Sequence, residues 1–275
     1  MFRYGRDGWA VMEIIIRNLS YKNLKNLNFT INDHKIVGIT GIGKTTILKL
    51  LKGVLNGRGT IKYNGEKYTS KNKYEMIKQI GYIDSSFDNP FSVTTIEEYM
   101  YFYIQYYKLN IKDPKKKVED SLRIVGLNNR YLTRNVLSLS SSEKKLLQLA
   151  RVLLLNPKII LFDEPFLDLD NKNEKKLARL FNQLNDRFGI NIVIASNDSD
   201  KLYMYTNKII LVKDNTILLE DDTKIVYEDV EFLKKNGFEI PSIVMFTYIA
   251  KTKKNVNIDY HRDIRDLIKD IYKHV

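Results

Sequence analysis

Gly38, Gly43, Lys44 and Thr45 stand in the spacing G-x-x-x-x-G-K-[ST], the pattern of a loop that wraps nucleotide phosphates. Each residue type has a task in that chemistry. Glycines let backbone N–H groups approach an anion closely, the lysine carries positive charge to the outer phosphates, and the threonine hydroxyl is a hard oxygen ligand for magnesium. The apolar run "KIVGIT" precedes the loop, and "TTILKLLKG" follows it with apolar residues at helical spacing. Backbone N–H groups of Gly41, Ile42, Gly43, Lys44, Thr45 and Thr46 are therefore expected at a helix N-terminus, where an anion is favoured.

Two alignments of this loop are open. If Gly38 opens the loop, "HKIV" is left as the preceding strand, with a polar first half. If Gly38 is instead a strand glycine, the loop is about three residues shorter than the pattern requires. The continuous run Ile-Val-Gly-Ile at residues 36–39 reads best as strand, which makes the short loop the expectation.

A second chemical signal is "IILFDEP", an apolar strand ending in Asp163 and Glu164. Ligands collect at the carboxyl edge of parallel strands, so this acidic pair is expected beside the phosphates. Asp163 would join Thr45 on magnesium, and Glu164 would orient and polarise an attacking water as the catalytic group.

The elements that must position these groups are legible in outline. Residues 12–31 read as a strand hairpin that turns at Tyr21, and "GTIKYNG" and "KQIGYID" as further strands. From Thr95 two helices follow, the second with Asp113 as N-cap and Pro114 in its first turn. A third helix starts near Ser141 and ends before "NPKIILFDEP". A polar helix, "INIVIAS" and "KIILVKDNTILLED" complete an α/β mononucleotide fold interrupted by helices. The expected organisation is a leader at 1–11, a nucleotide-binding core in two parts (12–94 and 141–220), a helical subdomain at 95–140 and a C-terminal appendage at 221–275.

The segment "LSLSSSEKKLLQLARVLLLNPKIILFDEPFLDLD" resembles the signature helix, Walker B strand and D-loop of ABC-type ATPases. The likeness runs from the Tyr21 hairpin to "KIILVKDNTILLED". Within that family, "GYIDSSFDNPFSVTTIEE" and the tail from "FLKKNGFEIPS" onward look most like the ATPase subunits of energy-coupling-factor importers. The resemblance implies an α/β P-loop NTPase fold with an inserted helical subdomain, and ATP and magnesium as cofactors. It implies ATP hydrolysis coupled to transport on the cytoplasmic face of a membrane. It also implies a second ATPase subunit, a transmembrane coupling protein and a substrate-binding membrane subunit as partners. Tyr21 is placed like the aromatic that stacks on adenine. Ser140, Ser141, Ser142 and Glu143 fall on the signature that acts in trans, and Asp170 on the D-loop.

The departures from the family are equally specific. Both signature glycines are serines, Ser141 and Ser142, where close backbone approach to ATP is wanted. The Q-loop glutamine is replaced by Ser85, whose side chain is too short for the same contact without a bridging water. The switch histidine is replaced by Asn197, which can donate an amide hydrogen bond but cannot carry an imidazolium's charge. Slow or partner-dependent turnover is the natural expectation. The alternative is a hydrolysis-poor half of an unequal ATPase pair.

Composition narrows the classes. The 275 residues include no cysteine, which excludes disulfides and thiolate metal sites, and the net charge is +12. That charge raises nucleic acid or an anionic membrane as partner. Apart from "KDPKKK" and "KTKK" the basic residues are scattered, however, so a solvated surface is expected and nucleic acid is not. The tyrosine-rich "YMYFYIQYY" reads mainly as domain core, and could also help form a groove for a membrane partner's coupling helix.

Overall fold

The computed structural model describes residues 13–32, 35–69, 71–87, 93–254, 256 and 258–274. The expected leader at 1–11 lies outside them. The chain opens with β1 (Ile14–Tyr21), β2 (Leu24–Ile31) and β3 (Ile36–Gly41), followed by α1 (Lys44–Leu51). Then come β4 (Arg58–Tyr63), β5 (Glu66–Lys67), α2 (Lys73–Lys78), β6 (Ile80–Ile83), α3 (Ile96–Tyr106), α4 (Pro114–Ile124) and α5 (Ser141–Leu153). The second half has β7 (Ile159–Asp163), α6 (Asn171–Phe188), β8 (Asn191–Ala195), α7 (Ser199–Tyr205), β9 (Lys208–Lys213) and β10 (Thr216–Asp222). It closes with α8 (Thr223–Glu228), α9 (Val230–Asn236), α10 (Ser242–Lys254) and α11 (Ile264–His274).

Two sheets result. An antiparallel sheet has the order β2-β1-β4-β5, and a larger one the order β10-β9-β3-β8-β7-β6. In the larger sheet every neighbouring pair is parallel except β9–β10. Its central strands β3, β7, β8 and β9 are apolar on both faces, the signature of a sheet covered on both sides. Successive residues alternate between two cores. Ile160, Phe162, Ile192, Ile194, Ile209 and Leu211 face the helices α3 to α7, whereas Leu161, Val193, Ile210 and Val212 face α1 and the antiparallel sheet.

Local signals set the helix starts. Thr95 caps α3 in a capping box with Glu98, and Asp113 accepts from the Lys116 N–H ahead of Pro114 at the start of α4. Helices α8, α9 and α10 share the first core through Val226, Tyr227, Leu233 and Val244. Arg262 ties them down by donating to the Thr206 carbonyl at 2.8 Å. Among the described residues no helix is long and apolar enough to cross a membrane.

The parallel order puts the C-terminal ends of β3, β8, β7 and β6 along one edge. Gly41, Asp163, Ser196, Asn197, Asp84 and Ser85 all sit at or just beyond those ends.

Candidate functional site

The loop question has a structural answer. Gly38 lies inside β3, paired with Ile194 on one side and Ile209 on the other. A Cβ there would come within 2.6 Å of the Ile209 Cδ1 and 3.0 Å of the Leu202 Cδ2, so the glycine sits in close packing of the strand. Gly41 is the last β3 residue in the ladder, opposite Val212. Its φ is +104°, and a Cβ would meet the Val212 carbonyl oxygen at 2.0 Å. Only Ile42 and Gly43 separate the strand from α1. The pattern's first glycine, Gly38, is therefore a strand residue, and Gly41 ends that strand at the edge of the loop.

What remains is still suited to an anion. Gly43, the N-cap of α1, offers no side-chain cap, and no acid lies in the first turn. The first-turn N–H groups, which have no partner within a helix, are left for a ligand. The hairpin holding Tyr21 abuts the loop, since a Cβ on Gly43 would lie 2.8 Å from Leu24.

The acidic pair faces this helix end. Thr45 donates to Asp163, its Oγ1 2.8 Å from Oδ2 and 3.1 Å from Oδ1. Burial pushes the Asp163 carboxyl up. The Thr45 hydrogen bond opposes this, the Asp84 and Glu164 charges add to it, and the Lys44 charge opposes it. Glu164 sits just past the strand with φ +47°, its N–H donating to the Ala195 carbonyl at 2.8 Å. Its Oε1 is 3.3 Å from the Lys44 Nζ, and its Oε2 accepts from the Ser196 hydroxyl at 2.6 Å. Lys145 of α5 donates to the Glu164 carbonyl at 3.2 Å.

The donor set fits the cofactors that the sequence suggested. A hydroxyl and a carboxylate already within hydrogen-bond distance are the hard oxygen ligands magnesium takes while keeping other positions for phosphate and water. The loop beside this donor set is short, with only Ile42 and Gly43 between β3 and the first turn of α1.

The remaining residues fall into two groups. Asn197 lines a cavity of about 400 Å³ beside the loop, together with Thr40, Gly41, Ile42 and Lys213. The Ser85 hydroxyl donates to Asp84, which also accepts from Tyr82 at 3.2 Å. Ser140 to Glu143 lie on the helical layer at the start of α5. There Ser140 caps the helix, its N–H donates to Glu143 Oε2 at 2.9 Å, and the Ser140 and Ser142 hydroxyls are 3.2 Å apart. Tyr131 and Arg134 clamp Glu143 from the other side, at 2.8 and 3.0 Å. Asp170 caps α6, accepting from the N–H groups of Lys172 and Asn173. Sequence reasoning missed Asp84, Ser196 and Lys145. The first two flank positions it did name, Ser85 and Asn197, and that adjacency was the available signal.

The ABC transporter family model matches residues 24–167, more than half of the chain. This chain belongs to that family. Its fold is the α/β P-loop NTPase cassette of ABC ATPases, as the motifs led us to expect. It is 29% identical to the energy-coupling factor transporter ATP-binding protein EcfA3 of Oenococcus oeni, over 95% of this chain and 97% of that one. It is 31% identical to EcfA1 of Ligilactobacillus salivarius, over 72% and 74% of the two chains. Among solved structures, cbiO1 of Clostridium perfringens, part of the ABC transporter complex cbiONQ, superposes with a TM-score of 0.72 at 24% identity. That match covers 86% of this chain and 98% of that one, and at this identity it speaks for the fold.

Proposed function

We propose that this chain is an ATP-binding, ATP-hydrolysing subunit that powers a membrane importer of the energy-coupling-factor type. The observation that carries the reading is the closure of α1 onto the β7 end, with Thr45 on Asp163 and Lys44 on Glu164. The relatives' names, energy-coupling factor transporter ATP-binding proteins, support the energy-coupling-factor type. In this reading Lys44 and the first-turn N–H groups of α1 hold the phosphates, and Thr45 and Asp163 hold magnesium. Bound magnesium would neutralise phosphate charge. Glu164, held at Oε2 by Ser196, takes the proton of the attacking water at Oε1 once Lys44 turns to phosphate. Tyr21 lies on the adenine side, and the Ser140–Glu143 segment and Asp170 serve the site of a second ATPase subunit.

The chain would work at the cytoplasmic membrane face, peripheral, with a transmembrane coupling protein and a substrate-binding membrane subunit. Ser85, Asn197, Ser141 and Ser142 depart from the family pattern and slow turnover. The curtailed loop favours a second reading, the hydrolysis-poor nucleotide-binding or scaffold half of an unequal ATPase pair. Magnesium-dependent ATP binding by the purified chain, with Lys44→Ala beside it, tests the common part. Saturable binding lost in the variant supports it. No binding by the native chain leaves the scaffold reading.

A further inference from the structure

Glu164 and Asp168, both in the segment that joins β7 to α6, have φ of +47° and +60°. Side chains disfavour this left-handed region, and a residue persists there when its surroundings hold it. Glu164 is held on both sides of its Cα. Its N–H donates to the Ala195 carbonyl at the end of β8, 2.8 Å away. Its own carbonyl accepts from the Leu167 N–H at 3.3 Å and from the Lys145 Nζ at 3.2 Å. The Leu167 bond lies within the segment and moves with it. The other two tie the segment to the sheet and to α5, and together they set the direction in which the Glu164 side chain leaves the backbone.

Lys145 is buried, with 9% exposure. Burial pushes its ammonium down, and the charges of Asp168 and Glu164 oppose this. A buried charge of this kind adds little to stability, and an apolar side chain of the same length would pack there without the desolvation penalty. Lys145 also lies three residues after Ser142 and four after Ser141, one turn further along the same face of α5. Ser142 and Lys145 line a small cleft together with Leu169 and Asn173, so the first turns of α5 pack against the segment that follows Glu164.

We infer that Lys145 is a positioning residue for Glu164: its ammonium holds the Glu164 carbonyl, keeps that backbone left-handed, and so makes water attack depend on where the start of α5 lies. The carboxylate is thereby kept beside Lys44 and Ser196. Glu164 is a base only within the proposed function, on which this inference rests, and Lys145 adds control of that base by α5. A contact at Ser140–Ser142 that shifts α5 would withdraw the ammonium and let Glu164 relax toward ordinary backbone angles.

Lys145→Met keeps the length of the side chain and removes the donor. Amide hydrogen exchange, resolved to single residues in the full chain, reads the anchor without any nucleotide. The Glu164 amide should exchange at least about fivefold faster in this variant, while Leu161 and Phe162 of β7 and Leu149 of α5 keep native rates. The kcat for ATP should fall about tenfold or more, with the Kd for ATP within about twofold of native. Lys145→Arg keeps a donor of similar reach and should restore both exchange and rate. Adding Lys145→Met to Glu164→Gln should leave the residual rate unchanged, because the lysine acts through the carboxylate. Native exchange at Glu164 in Lys145→Met overturns the inference. Equal losses in the Met and Arg variants, or faster exchange spread through α5, also overturn it, since both mark packing. Faster exchange confined to the Glu164 segment, in a chain that does not turn over ATP, supports the anchor and sinks the hydrolysis reading alone.

Discussion

Lys44 and Glu164 occupy each other: the ammonium is 3.3 Å from Oε1, while Ser196 holds Oε2. Both oxygens of the proposed base are thus engaged before any nucleotide arrives. A phosphate that recruits Lys44 would free the oxygen that a water needs. Replacing Glu164 by Gln removes a negative charge from the phosphate site and frees the lysine. ATP binding should tighten about 2- to 5-fold, the size expected for a partly exposed pair, while turnover falls about 100-fold or more. Calorimetric titration and phosphate release check the two halves. Weaker binding in Glu164→Gln would mean that the pair does not compete with nucleotide.

Ser196 is a positioning residue in this arrangement, since it touches Glu164 rather than the reacting atoms. It is buried, and its hydroxyl also accepts from the Asp198 N–H at 3.2 Å. Ser196→Ala should lower kcat about 10- to 100-fold by letting the carboxylate swing, with KM for ATP little changed. Ser196→Thr keeps the hydroxyl and should restore most of the rate. Equal losses in both variants would point to packing rather than to the hydrogen bond.

The short loop makes a structural prediction at Gly41. Its φ is +104°, and a methyl group there would meet the Val212 carbonyl oxygen at 2.0 Å, which leaves no room for a side chain. Gly41→Ala should cost about 1–3 kcal/mol or more in denaturant unfolding and displace Ile42 and Gly43 from the mouth of α1. Wild-type stability in this variant would mean that β3 ends earlier than residue 41.

How much of this site could be read beforehand depended on whether the information was local. The strand character of residues 36–39 favoured the short loop over one opened by Gly38, because a buried strand is written in consecutive residues, and Gly38 does lie inside β3. The meeting of Thr45 with Asp163 was legible because motif and strand end are each local, and parallel strands gather ligands at one edge. Ser196 and Asp84 reach the site only through the order β3-β8-β7-β6, which apolar alternation does not specify. The anchoring of Lys145 on the Glu164 carbonyl is likewise a contact between layers, invisible in the spacing of α5. Tyr106 and Tyr99 come from the same helical run and have opposite exposures, because only neighbouring elements decide which turn of α3 is covered.

Acid should act on the signature segment through Glu143. Burial pushes its carboxyl up, but hydrogen bonds from the Ser140 N–H, the Tyr131 and Ser140 hydroxyls and Arg134 outweigh that and bring it down to about 2, from an ordinary 4.5. A carboxylate lowered by folding contributes stability that is complete above the unfolded value and is lost as pH falls from there toward the folded one. The melting temperature of the native chain should therefore exceed that of Glu143→Gln by a constant margin above about pH 5, and the gap should close between pH 4.5 and 2. For a chain of this size each kcal/mol corresponds to about 2–4 °C, within reach of scanning calorimetry. No gap at any pH would mean that Glu143 stabilises α5 through the capping geometry alone, since a glutamine there loses the charge and keeps the shape.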